Sequence, residues 1–340
     1  MIFQPAVIVL LLTSLLTASM VLYAAFYGIR IIRRWDITSG SEAQLELERR
    51  TYLISMILSY TLAFEIGSLF LYIFTADSLH SLFVGAMCAA GSLNANPYGY
   101  PALLLKILTT ILAGLWLILN FTDNRAYDYP LIKTKYVMLV ILAPVVLIES
   151  MLVTAYFTHL KGNVITSCCG SLFSDARQGV ASDLAAVPVR FAVPAFFLSL
   201  GLTFGLGITY RVKEKLGALF SAASAASFPV LVVSLISFIC LYFYELPTHH
   251  CPFCILQREY GYIGYLLYAT LLTGVVSGLG VGALMPFAKI RSLSKSIAVI
   301  QKRLTLVCLV AYLLFAVISI RQMIFSNLSV GAVRQILPWP

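Results

Sequence analysis

The chain has 340 residues, of which 60% are apolar and 11% charged, and its mean hydropathy is +0.93. Soluble globular domains are about one-quarter charged, so this composition excludes a water-soluble enzyme and calls for a bilayer as solvent. The formal charge of +9 raises nucleic acid as a partner, but the basic residues sit at the ends of apolar runs, where the positive-inside rule puts them.

Apolar runs long enough to cross a membrane follow one another at 6–29, 51–74, 101–121, 136–158, 189–210, 228–246, 258–286 and 304–325. Met1 to Ile8 carries no basic residue, and Arg30, Arg33 and Arg34 come after the first run, not before it. That order is the reverse of a cleavable signal, so the first run is expected to stay as a span with its N-terminus outside. The segments 30–50, 122–135, 211–216 and 287–303 hold 16 of the 23 basic residues, which makes them the expected cytoplasmic loops. The expected fold is all-α, a polytopic integral membrane protein with about eight transmembrane helices in a bundle and both termini external. Two parts are expected: 1–135, with three spans and an external hairpin bearing Cys88, and 136–340, with five spans.

On this trace Cys88, Cys168, Cys169, Cys251 and Cys254 all fall in external loops, as do His80, His159, His249 and His250. Cys240 and Cys308 fall inside spans and read as small apolar packing residues. Thiols gathered outside a membrane point to redox or metal chemistry in an oxidising compartment. The first two hairpins are alike in detail. Each carries a glutamate within the outgoing span (Glu65, Glu149), an aromatic exit, Cys before Gly-Ser-Leu, and a basic residue near the start of the return span (Lys106, Arg190). A carboxylate in hydrocarbon is costly unless it faces the bundle interior or a partner, so Glu65 with Lys106 and Glu149 with Arg190 are expected as pairs or as parts of an occupied cavity. The third hairpin has Glu245 going out and Arg258 coming back. Gly274, Gly278 and Gly282, and likewise Gly201 with Gly205, recur every four residues and read as sites of close helix approach.

The sharpest local signal is T-H-H-C-P-F-C-I-L-Q-R at 248–258. Two cysteines two residues apart form a small-loop redox pair when one of them is a stabilised thiolate. The expectation is that Cys254 opens the seventh helix, whose N-terminal dipole favours an anion, with His250 adding positive charge beside it. The same C-x-x-C serves equally as half of a zinc site.

This motif resembles the DsbB family of membrane disulfide-forming proteins, in which a C-x-x-C at the outer end of a span is followed by an apolar pair, Gln or Glu, and Arg. Here the order is Cys251, Cys254, Ile255, Leu256, Gln257, Arg258. The resemblance covers about ten residues closely and the spans 228–286 loosely. It implies a membrane thiol–disulfide oxidoreductase of the bacterial inner membrane that exchanges electrons between a periplasmic, thioredoxin-like thiol protein and a quinone. Cys251 and Cys254 would be the quinone-facing pair, with Arg258, Gln257 and His250 around the cofactor. The family's second cysteine pair follows its C-x-x-C, whereas here only Cys308 follows. A second pair would have to come from upstream, from the vicinal Cys168 and Cys169 or from one of them with Cys88, and Cys88 with Cys168 or Cys169 is the favoured shuttle. Two other classes stay open: a soft-metal or haem handling protein using His249, His250, Cys251 and Cys254 with His80 and His159, and a non-catalytic membrane subunit whose disulfides staple its loops.

Overall fold

The structure is a computed structural model that describes residues 4–162, 164, 166 and 187–328. Cys168 and Cys169, named above as shuttle candidates, lie outside the described residues. The fold is helical, with no strand among the described residues. Among the described residues ten α-helices follow in order: α1 (Pro5–Arg34), α2 (Glu42–Ser78), α3 (Ala89–Leu93), α4 (Gly99–Asp123), α5 (Ile132–Thr158), α6 (Val189–Lys213), α7 (Gly217–Ser234), α8 (Cys240–Tyr244), α9 (Ile263–Leu284) and α10 (Ser294–Phe325). A π-helical turn, Leu235–Ile239, joins α7 to α8 into one helical stretch, Gly217–Tyr244, long and apolar enough to cross a membrane. Eight helices among the described residues are long and apolar enough to cross a membrane, matching the eight apolar runs.

The helix ends follow from local chemistry. α1 opens on Pro5 and closes on Arg33 and Arg34, where a prearranged φ and the helix dipole favour them. α2 starts after Ser41, whose Oγ accepts the Gln44 N–H at 3.4 Å, an N-cap.

The chain divides into two compact units: residues 1–76, 93–162 and 283–301, and residues 77–92, 163–282 and 302–340. In the first unit α1 and α4 both pack against α5. The buried stripe of α1 runs through Val7, Leu10, Ser14, Thr17, Val21, Ala24, Gly28 and Ile31, a helical spacing. A Cβ at Gly28 would stand 2.8 Å from Tyr136 Cδ1, so glycine is what lets α1 close on α5. Trp116 is fully buried and donates its indole N–H to the Lys135 carbonyl at 3.0 Å.

Two buried ion clusters cross this unit. Lys135, expected as a cytoplasmic loop charge, is instead 1% exposed, with Nζ 2.8 Å from Asp123 Oδ2 and 3.0 Å from Asn120 Oδ1. The second cluster changes the expected pairing. Lys106 Nζ reaches both Glu65 Oε1 and Glu149 Oε1, each at 2.8 Å. Glu149 thus takes Lys106 as its partner in place of Arg190, whose exposed guanidinium lies over the Phe191 ring. Hairpin likeness suggested a private cation for each glutamate, whereas one central lysine serves both.

In the second unit α6 packs on α7, and Phe196, Phe238 and Phe315 form its aromatic centre, with centroids 5.8 and 6.4 Å from Phe196. Cβ atoms at Gly274, Gly278 and Gly282 would lie 2.3 Å from Tyr312, 2.0 Å from Ser224 Oγ and 2.3 Å from Ser221 Oγ. These three are the close-approach positions the spacing implied. Gly201 and Gly205 meet nothing within 4 Å, so their spacing marks no such contact among the described residues. Cys308 is buried against Ser224 Oγ at 3.3 Å, as a packing residue would be.

Candidate functional site

All the described parts of the site lie in the second unit. α8 stops at Tyr244 because Glu245 is left-handed at φ +54°. Glu245 is exposed, accepting from the Asn327 N–H at 3.0 Å and its side-chain amide at 3.3 Å; these bonds hold its carboxyl below the usual range. It was expected within a span and instead ties the hairpin to the end of α10.

Cys251 and Cys254 lie in the loop that follows. Residues Cys254–Leu256 and Arg258–Tyr260 form two 3-10 turns, closed by Gln257 N to Cys254 O at 3.0 Å and Gly261 N to Arg258 O at 2.9 Å. Gly261 and Tyr262 then both have positive φ, +61° and +57°. An α-helix of L-residues does not run through consecutive left-handed positions, so α9 begins only at Ile263. This corrects the expectation that Cys254 opens the seventh helix: it opens a 3-10 turn, and the helix starts at Ile263.

The loop is held instead by two tyrosines. The Tyr244 hydroxyl donates to the Cys251 carbonyl and accepts the Ile255 N–H at 2.9 Å, spanning both sides of the C-x-x-C. Tyr268 donates to the Pro252 carbonyl at 2.6 Å. The Tyr244 ring meets His249 edge-on at 4.4 Å and Tyr260 at 5.0 Å.

Cys88 arrives from a sequence-distant segment. After the 3-10 turn His80–Leu82, Thr166 N donates to Val84 O at 2.9 Å. Gly85 then turns at φ +85°, where a Cβ would stand 2.3 Å from the Thr166 carbonyl. Ala89 N donates to Asp77 Oδ1 at 3.0 Å. Gln257 joins this segment to the C-x-x-C loop, its amide donating to the Met87 carbonyl at 2.7 Å and to Asp77 Oδ1 at 3.4 Å.

The result is a cluster of three buried thiols. Cys88 Sγ lies 3.5 Å from Cys251 Sγ, and the sulfurs of Cys88, Cys251 and Cys254 all lie within 4.8 Å of one another. Hydrogen bonds from Cys254 first, then from Cys88, hold the Cys251 thiol well below its ordinary pKa of 9.0 against the opposing effect of burial. These contacts favour the thiolate form at Cys251, whereas the sequence placed the anion-favouring surroundings at Cys254. A thiolate within contact distance of two other sulfurs can take part in disulfide exchange or bind a soft metal ion.

The remaining candidates take other places. His250 Nδ1 donates to the Ile236 carbonyl at 3.0 Å, in the π turn, and His80 bonds the Asp77 carbonyl. His159 bonds the Ala155 carbonyl at 2.9 Å. Among the described residues the group spaced to hold a metal contains the three cysteines and no imidazole. Arg258 is exposed on the second 3-10 turn. Tyr244, Tyr268 and Asp77 were not singled out from sequence. The one available signal was that Tyr244 closes an apolar run seven residues before Cys251. No protein family, curated protein or solved structure matches this chain.

Proposed function

We propose that the protein is a membrane thiol–disulfide oxidoreductase in which Cys88 exchanges disulfides with the Cys251–Cys254 pair. The observation that carries this reading is the cluster itself: three buried sulfurs, drawn from segments 163 residues apart, with 3.5 Å between Cys88 and Cys251. Exchange proceeds by a thiolate attacking a disulfide sulfur. With Cys251 and Cys254 oxidised, a Cys88 thiolate attacks Cys251, forming the Cys88–Cys251 bond and releasing Cys254 as thiolate. A second thiol, Cys168 or Cys169, then attacks Cys88, leaving a shuttle disulfide and a reduced Cys251–Cys254 pair. A periplasmic thioredoxin-like dithiol reduces the shuttle and is itself oxidised. In this reading both termini and the thiol loops lie outside a bacterial inner membrane.

The electrons leaving Cys251 and Cys254 need a two-electron acceptor, which a membrane quinone would supply together with uptake of two protons. An apolar groove of about 370 Å³ on the second unit, lined by Ala269, Thr270, Thr273, Val307, Val310 and Leu314 among others, fits such a group in size and polarity. The exposed Arg258 would stabilise negative charge arising beside the loop. The test is to map disulfides by thiol trapping and peptide mass at rest, after mild reduction and after adding ubiquinone or menaquinone. Opening of Cys251–Cys254 under reductant and closure on quinone is expected. A pair that quinone leaves reduced overturns the reading.

A second reading rests on the same three sulfurs as ligands of a soft cation such as zinc or Cu(I). Stoichiometric metal in the purified protein, lost in Cys88→Ser, would replace the redox reading with this one.

A further inference from the structure

We propose that the Glu65–Lys106–Glu149 triad of the first unit is a proton-binding site, in which the two carboxyl groups hold one exchangeable proton and Glu149 carries it. The site lies outside the thiol chemistry and stands on its own geometry. Glu65, Lys106 and Glu149 are 3%, 2% and 2% exposed, on three helices, α2, α4 and α5. The lysine ammonium has three N–H bonds and uses them all, on Glu65 Oε1 and Glu149 Oε1 at 2.8 Å each and on Ser68 Oγ at 2.7 Å. One ammonium neutralises one carboxylate. If both glutamates were ionised, a net negative charge would sit in an apolar interior with no further cation paired to it among the described residues, which burial disfavours.

The two carboxyls are not equivalent. The single Ser68 O–H is shared between the Glu65 carbonyl at 2.8 Å and Glu65 Oε1 at 3.0 Å, a neighbouring donor that the Glu149 carboxyl lacks among the described residues, so the Glu65 charge is the better supported. Glu149 accepts only from Lys106, and its Oε2 is buried with no hydrogen-bond acceptance among the described residues. Both carboxyls accept from the one Lys106 Nζ, each at 2.8 Å. Two ionised carboxylates that meet at a single ammonium repel each other, and a proton on one of them removes that repulsion. The other polar groups nearby add no charge. Tyr72 from α2 donates its hydroxyl to Gly99 O at 3.0 Å, and Tyr156 from α5 lies edge-on to Tyr72 at 5.7 Å. The ligand this site takes is therefore H⁺. Its release would leave an unbalanced carboxylate that the helices must accommodate by admitting water, so the site gives the unit two protonation states of different structure.

The test is infrared spectroscopy of the full chain in lipid nanodiscs at neutral pH, reading the C=O stretch of a protonated carboxyl and its shift in D₂O. A band is expected in the wild type. E149Q and E65Q should each abolish it, because the surviving carboxylate pairs one-to-one with Lys106, whereas K106M should enlarge it. A wild type without the band overturns the proposal whether or not any variant folds. So does a band that persists at full size in E149Q, or one that sodium chloride removes at constant pH, since the site would then take a metal cation.

Discussion

Tyr244→Phe removes one oxygen and tests whether that oxygen holds the redox loop closed. The ring remains against His249 and Tyr260, at 4.4 and 5.0 Å, and the lost volume is small, so no cavity effect confuses the result. What disappears is the donor to the Cys251 carbonyl and the acceptor of the Ile255 N–H. These groups belong to residues only 1% and 0% exposed. An orphaned buried backbone group costs about 1–3 kcal/mol, and two that share one loop and relax together come to about 2–4 kcal/mol. Local opening is governed by its own free energy, not the global one, and every 1.4 kcal/mol is tenfold. The opening equilibrium should therefore rise by about 30-fold to 1000-fold. Cys254, at 6% exposed, reports that opening through its alkylation rate in the reduced protein, read by peptide mass at low reagent concentration. If Tyr244→Phe accelerates Cys254 alkylation by less than about threefold, the hydroxyl is not what closes the loop, and the local-opening argument fails.

Four further outcomes follow from the packing and the charges. Lys135→Met strands the fully buried Asp123 and should lower unfolding free energy in detergent by about 3–5 kcal/mol. Adding Asp123→Asn should recover most of it, and a single-variant loss under about 1 kcal/mol would contradict the buried pairing. Because Cys251 titrates well below its ordinary 9.0, its alkylation rate should level off well below that pH, and Cys254→Ala should move the profile upward. The linked stability is fully present above pH 9.0 and is lost as pH falls through the depressed native value; denaturation midpoints measured across that range check the sign. Gly278→Leu drives a side chain into Ser224, 2.0 Å from the new Cβ, whereas Gly205→Leu meets nothing within 4 Å. The first should cost about 1–3 kcal/mol or more by overpacking and the second almost nothing, as paired thermal melts would show. Gln257→Ala, combined with Cys254→Ser, should lower the yield of the Cys88–Cys251 cross-link under mild oxidant, since the amide joins Met87 to the C-x-x-C loop; an unchanged yield would show that the contact persists without it.

The helical class and the eight helices long and apolar enough to cross a membrane were legible in the sequence because hydrophobic length is a one-dimensional property, set by each run whatever its neighbours do. The close approach of Gly274, Gly278 and Gly282 was legible for a similar reason, since their four-residue spacing places them on one helix face. Partners were not. Glu149 and Arg190 matched by hairpin analogy, yet Lys106 serves both Glu65 and Glu149, because helix packing decides which side chains meet. Lys135 counted as a loop charge until Asp123 and Asn120 were found around it. At the thiol site, sequence marked Cys88, Cys251 and Cys254 as reactive candidates, but two consecutive positive-φ residues keep Cys254 off the helix terminus. The 3.5 Å contact between Cys88 and Cys251 spans 163 positions. Local sequence determines what a segment can become in a membrane; which thiol is the thiolate and which carboxylates share a lysine depend on distances that exist only after distant segments have packed.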